Sequence, residues 1–237
     1  MLITPLLSTI HLFDSLPNDI KMKTAKSAKL NYYKKGTQIF SASQSNKYFI
    51  YIVNGWIKLF KDIIDGSEVI IDILNDRSFF GENFIFDDDN QDYNVETISD
   101  VELLIIPIAF LRDLIEGYHS FSLALLKTIL QKKQKLTLEV EHLSIKSAAQ
   151  RIGCFLLRLC SLDQEHDITL KFPYDKSLLA LRLGMRPETF SRALAKLSQD
   201  CNIQTEDNTL YIKHMHTLIS HVCGYCSQIY PCKEVMC

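Results

Sequence analysis

The chain has 237 residues, enough to bury a substantial core and to form two domains. No uninterrupted apolar run approaches the ~20 residues of a membrane span, and no charged n-region followed by an apolar h-region opens the chain, so a cytoplasmic protein without membrane attachment is expected. Net charge is only -2, which by itself argues against nucleic acid, but Lys176 to Lys196 holds five basic residues against the single acidic Glu188, while Asp87 to Glu102 holds seven acidic residues and no basic one; a local basic face is enough to contact phosphates.

From Leu30 to Pro107, short β-prone runs alternate with turn signals. Phe49-Ile-Tyr-Ile-Val is followed by Asn54-Gly55 and Trp56-Ile-Lys-Leu-Phe, and Asp65-Gly66 precedes Val69 to Leu74. The regular spacing predicts an antiparallel sandwich or jelly roll rather than βαβ units. No Gly-rich phosphate loop of the nucleotide-hydrolase kind is present. A cupin-type enzyme is the catalytic alternative on such a sandwich, but residues 30–107 contain no His to hold its metal, so no enzymatic activity is expected. The acidic block around Asp87, Asp88 and Asp89 lacks the full spacing of a calcium loop and reads as a solvated loop.

From Ser120 to about Ile145 the period becomes helical. Leu126, Ile129, Lys133, Leu136, Val140 and Leu143 are spaced 3, 4, 3, 4, 3 as a heptad seam interrupted by one lysine. A seam this narrow and long predicts a homodimer helix, with Lys133 tuning stability or register, in preference to a helix lying on its own sandwich. Residues 147–162 form a second amphipathic helix carrying Ile152, Phe155, Leu156 and Leu159.

Asp175 to Leu197 has the pattern of a helix-turn-helix. Asp175 is placed to cap a first helix whose apolar face is Leu178, Leu179 and Leu183, and Gly184 permits a tight turn. Pro187 then opens the second helix, where its missing N–H costs nothing. Phe190, Leu194 and Leu197 form the inward stripe, and Glu188, Ser191 and Arg192 share the opposite face. That outer face has the chemistry of a base reader: Arg donates two hydrogen bonds to guanine O6 and N7, Glu accepts from cytosine N4, and Ser adapts to either. By spacing alone, a surface helix with ordinary charges fits equally well. Downstream, Glu206-Asp207-Asn208 between β-prone flanks predicts a short hairpin over 203–212, the wing of a winged arrangement.

The seven cysteines are not expected to form structural disulfides in the cytosol. Four of them, Cys223, Cys226, Cys232 and Cys237, fall in the last fifteen residues with C-x2-C-x5-C-x4-C spacing. Thiolates at this spacing can converge on an iron–sulfur cluster or a tetrahedral zinc, act as redox-active thiols, or belong to a tail with no sensing role. His214, His216 and His221 precede the tail and offer further ligands. Cys154 and Cys160 lie on or beside an apolar helical stripe and read as core; Cys201 is open.

Sandwich, dimer helix and winged helix-turn-helix, in that order, resemble the CRP/FNR family of bacterial transcription regulators over about residues 10–215. Tyr33-Lys-Lys-Gly-Thr-Gln-Ile-Phe, Ile52-Val-Asn-Gly-Trp-Ile-Lys-Leu and Phe80-Gly-Glu look like its cyclic-nucleotide-binding fold. Pro187-Glu-Thr-Phe-Ser-Arg, with His11-Leu-Phe, Leu123-Ala-Leu-Leu and Leu143-Ser-Ile-Lys-Ser-Ala-Ala-Gln-Arg-Ile, looks like the FNR/Dnr-like branch. The resemblance implies an α+β architecture with a cyclic-nucleotide-binding-like jelly-roll sensor domain over 1–119, a dimerisation helix over 120–146, a winged helix-turn-helix over 147–222 and a Cys-rich tail over 223–237.

Its functional implications are a homodimer on double-stranded DNA, acting with RNA polymerase. Glu188, Ser191 and Arg192 would read an FNR-type palindrome with TTGAT half-sites, with Arg186, Thr189 and Lys176 as adjoining DNA contacts. In the family's cyclic-AMP receptors an Arg-Ser pair after Phe-Gly-Glu holds the cyclic phosphate; Asp92 and Tyr93 stand there in this chain. A carboxylate cannot donate the bidentate bonds of Arg, so cyclic nucleotide is not the expected effector. Gly81 and Glu82 remain as turn residues.

Oxygen, nitric oxide or redox state is the expected signal. FNR-type sensors carry an iron–sulfur cluster, commonly ligated from the N-terminal side. With no Cys before Cys154, metal binding here falls to the tail cysteines. Haem is the competing cofactor, with His11 as its ligand, although Arg182 stands where the Dnr-like branch can have His. A ligand-independent DNA binder controlled by its abundance is the functional alternative.

Overall fold

Two runs that are apolar at nearly every position owe their composition to burial on both faces. These are β3 (Tyr48–Asn54) and β8 (Val101–Pro107), central neighbours in one sheet of a computed structural model that describes residues 3–42, 47–64, 66–86, 93–159, 166–172, 175–207 and 209–223. Because side chains alternate along a strand, Ile50, Ile52, Val101 and Leu103 enter the space between two sheets, while Phe49, Tyr51, Leu104 and Ile106 pack under helices on the other side.

The first sheet has the order β1 (Lys29–Tyr33), β8, β3, β6 (Phe79–Phe80). The second has the order β2 (Gln38–Phe40), β7 (Asn94–Thr97), β4 (Ile57–Asp62), β5 (Glu68–Leu74). All their pairings are antiparallel. The chain crosses between the sheets at Gly55, whose φ is +99° and where an added Cβ would lie 2.4 Å from Asp100 O. The helices covering the first sheet are α1 (Ile3–Leu7), α2 (Asn18–Ser27), α3 (Ile108–Gly117) and the start of α4 (His119–Ile145). Phe13 meets Phe121 there with ring centres 5.6 Å apart.

The chain divides into two compact units, Met1–Gln131 and Lys132–Cys237, and the division falls within α4. In the second unit α5 (Ala148–Leu159) begins at a reciprocal capping box: Gln150 N–H donates to Ser147 Oγ at 3.3 Å and Ser147 N–H to Gln150 Oε1 at 3.0 Å. Then follow β9 (His166–Lys171), α6 (Lys176–Arg182), α7 (Pro187–Asp200), β10 (Ile203–Glu206), β11 (Thr209–His214) and α8 (Met215–Cys223). The expected hairpin is the β10–β11 pair, and β9 adds a third strand beside β11 that local pattern did not announce. Gly153 on α5 lets α8 come close, since a Cβ there would lie 2.4 Å from Val222 Cγ2. Among the described residues no helix is long and apolar enough to cross a membrane.

Candidate nucleic-acid interface

The two helices of the reading motif are held by the residues expected to hold them. Leu179 is buried, Leu183 packs against the same core, and Gly184 turns the chain at φ +65°. Asp175 occupies the cap position of α6 but its side chain makes no cap bond. Pro187 opens α7, and Phe190, Leu194 and Leu197 are buried; the Phe190 ring meets Phe172 edge-on at 6.3 Å.

With that stripe fixed inward, the other face is fixed outward. Arg186, Glu188, Ser191 and Arg192 are all exposed, and Thr189 is half-buried beside them. Ser191 Oγ donates to Pro187 O at 3.0 Å and Arg192 Nε to Glu188 O at 3.3 Å, bonds along the helix that leave Arg192's terminal nitrogens and the Glu188 carboxylate directed to solvent. Lys176 is placed differently: its ammonium donates to Asp207 O at the wing turn, tying the first helix of the motif to the hairpin.

Five of the six residues of the expected α4 seam are exposed. Leu126, Leu136, Val140 and Leu143 are each more than half exposed, as is Leu123, and Leu130 is nearly so. Ile129, by contrast, packs against the core of its own domain, and Leu143 Cδ2 lies 3.0 Å from where a Cβ of Gly184 would stand. The exposed face of α4 thus carries Leu126, Lys133, Leu136, Val140 and Leu143 of the expected seam, with Leu123 and Leu130 beside them.

In the sandwich, apolar side chains of both sheets meet. Ile52, Ile57, Phe80, Tyr93 and Val95 are buried there, and Phe40 meets Phe80 edge-on at 6.3 Å. Gly81 adopts a left-handed φ of +94° at the start of the single turn bearing Glu82. Asp87 to Asp89 and Asp92 lie outside the described residues.

The sensor candidates are scattered. His11 is fully exposed, its Nδ1 2.9 Å from Asp14 Oδ2. Arg182 is bound to Glu139 at 2.6 Å. Cys223 ends α8 half-buried against the reading-domain core, and Cys226, Cys232 and Cys237 lie outside the described residues, as does Cys160. Cys154 is buried as expected, and Cys201 proves to be a core residue whose thiol is pushed up by burial and by the neighbouring Asp200. His221 faces Asp200 at 3.8 Å, and the His214 and His216 rings meet at 6.0 Å. Among the described residues no three His, Cys, Asp or Glu side chains come together as a metal site.

A jelly roll and a winged helix-turn-helix with an exposed polar reader face define a DNA-binding regulator. The family model for a cyclic nucleotide-binding domain matches residues 30–118, and that for a Crp-like helix-turn-helix domain matches residues 150–220, together more than half of the chain. The cyclic AMP receptor protein of Thermus thermophilus is 23% identical over 185 residues, covering 76% of this chain and 82% of the relative. The crystal structure of DNR from Pseudomonas aeruginosa is similar at 27% identity and TM-score 0.51, covering 91% of this chain and 96% of that one. FixK2 from Bradyrhizobium japonicum shares the fold at TM-score 0.70 and 19% identity, covering 82% and 96%. The chain belongs to the CRP/FNR family of DNA-binding transcription regulators.

Proposed function

We propose that the protein is a cytoplasmic homodimer that reads an FNR-type palindrome, acts with RNA polymerase, and responds to oxygen, nitric oxide or redox state rather than to cyclic nucleotide. The observation that carries the reading is the outward Glu188, Ser191 and Arg192 face on a helix whose opposite face is buried. Two such helices read matching half-sites about one DNA turn apart, and the exposed heptad of α4 supplies the pairing surface. Arg192→Ala is expected to lose about 1–3 kcal/mol at the guanine it reads and to relax preference there. Titration against half-site variants measures it; an unchanged guanine preference overturns the base assignment.

Asp92, in place of a phosphate-binding arginine, supports an effector other than cyclic nucleotide. His11, fully exposed beside Asp14, and Arg182, engaged by Glu139, do not fit a haem ligand pair. The redox branch of the proposal therefore rests on the C-x2-C-x5-C-x4-C spacing of the tail, whose first thiol emerges at the end of α8. Its residues would hold an iron–sulfur cluster, or zinc, through thiolates. Oxygen-free purification with absorption spectra and iron and zinc analysis tests it: a broad visible band bleached by air is expected, and colourless, metal-free protein that binds DNA equally well without residues 223–237 overturns it.

A further inference from the structure

The turn that leads into the reader helix is gripped from two sides by groups the base-reading face does not use. Arg182, the last residue of α6, donates from Nη2 to Glu139 Oε1 on α4 at 2.6 Å, and both side chains are less than one-fifth exposed. One helical turn further along α4, Leu143 closes over Gly184. From α5, Arg151 Nη1 donates to Leu183 O at 2.8 Å and approaches Gly184 O at 3.4 Å. Residues 182–184 are thus bound to the end of the dimer helix and to α5 before the chain reaches Pro187. The same end of α4 is anchored again by the buried Lys146, whose ammonium donates to Val222 O at 3.0 Å.

Burial opposes ionisation of Glu139, but the charge and hydrogen bond of Arg182, with Lys135 and Arg158 beyond it, hold its carboxyl below the usual range. A buried ion pair is poor value as glue, because desolvation cancels much of its attraction and an apolar pair of equal volume holds as well. What a guanidinium–carboxylate bond adds is direction: the planar fork accepts its partner along few lines of approach. Leu143 against Gly184 sets the distance between α4 and the turn; Glu139 and Arg182 set the angle.

Resting on the dimeric reading above, we infer that Glu139 and Arg182 are a positioning pair for DNA recognition. They lock the reader helix to the end of α4, so that the course of the dimer helix dictates which half-site spacing the protein accepts. Glu188, Ser191 and Arg192 select bases within a half-site; Glu139 and Arg182 select the separation of two half-sites. Arg182 itself touches no base, since its charge is committed to Glu139.

The test is binding of the full chain, and of Glu139→Gln and Arg182→Lys, to palindromes with optimal spacing and with one base pair inserted, which rotates one half-site by about 34°. The unaltered chain should prefer optimal spacing by about tenfold or more, and Glu139→Gln should reduce that preference below about threefold while keeping the base preferences within each half-site. Arg182→Lys, which keeps the charge and loses the fork, should fall between them. A merely structural defect would weaken binding to all sites alike and leave the spacing preference intact. Full spacing discrimination by Glu139→Gln overturns the inference. Should that variant melt at the assay temperature, Glu139→Asp, which withdraws the carboxylate by one methylene, carries the same readout. A wild-type chain that binds one half-site as tightly as two overturns the dimeric reading first, and this assignment with it.

Discussion

Between the two sheets of the sandwich, side chains from Ile50 to Tyr93 form an apolar interior, and the ion pairs lie outside it. Asp100 accepts from Tyr32, Lys34 and the Lys35 N–H on the exposed surface, and Lys58 meets Glu68 on the face opposite Ile57 and Leu59. The reading domain has an apolar core of similar make-up but places directed polar bonds between its helices: Glu139 with Arg182, Arg151 with Leu183 O, Lys146 with Val222 O. Apolar packing keeps layers together and tolerates rearrangement as long as volume is kept; hydrogen bonds to charged groups fix where one helix stands against another. Both units bury polar side chains among their described residues, Lys146 in the reading domain and Thr24, Lys58, Asn94 and Thr97 in the first unit; the polar bonds of the reading domain tie the end of α4 and α5 to α6 and α8.

Glycine substitutions break the comparison most severely. At Gly55 an added Cβ meets a backbone oxygen, Asp100 O at 2.4 Å, in a left-handed conformation that alanine disfavours. At Gly153 the obstacle is the tip of a side chain, Val222 Cγ2 at 2.4 Å, with Leu218 Cδ1 at 3.3 Å. Gly55→Ala should therefore cost about 3 kcal/mol or more, since neither the backbone nor the φ can give. Gly153→Ala should cost about 1–2 kcal/mol, since a valine can turn. Urea unfolding measures both, with the fluorescence of Trp56, the one tryptophan and the neighbour of Gly55, reporting the sandwich. Equal losses would show that the reading domain is as rigid at its helix contacts as the sandwich is at its corner.

The features legible from sequence were those with a local period. The run at 49–53, the heptad of α4, the reader helix with Pro187 at its start, and the β10–β11 hairpin all announce themselves within a dozen residues. What escaped depends on partners far along the chain. Strand β9 is defined by pairing with β11, where Leu170 stands opposite Leu210. Glu139 and Arg182 lie 43 residues apart, and no spacing rule joins them. Ile129, counted into the α4 seam by its spacing, packs against the core of its own domain, a contact that a heptad count does not reveal. Cys201 stayed open for the same reason: a cysteine after a helix gives no sign of burial until the Thr217 carbonyl, 4.0 Å from its sulfur, is in place.

The smallest effect is a pH dependence confined to the reading domain. Burial first, and then the positive charges of Arg158 and Lys146, hold the His142 imidazole down to about 4 against the opposing pull of Glu141 and Glu139. Arg158 Nη2 lies 3.4 Å from its Nδ1, which accepts while the ring is neutral, and Cys154 Sγ lies 4.0 Å away. In the unfolded chain the same ring titrates near 6.5, so as pH falls from there toward 4 the unfolded state takes up the proton first. This contribution is therefore fully present above pH 6.5 and declines below it. With the ring half-exposed, solvent screening limits the loss to about 1 kcal/mol by pH 5. Glu139 acts lower: its depressed carboxyl contributes stability above its ordinary value and loses it as pH falls through the folded one. Asp100 on the sandwich is held lower still by Lys34, Tyr32 and the Lys35 N–H. The interval from 6.5 to 5 thus reads His142 and neither carboxylate. His142→Gln, which keeps an acceptor for Arg158 without a proton to gain, should flatten stability against pH across that interval, and a slope identical to that of the unaltered chain would remove His142 from the account.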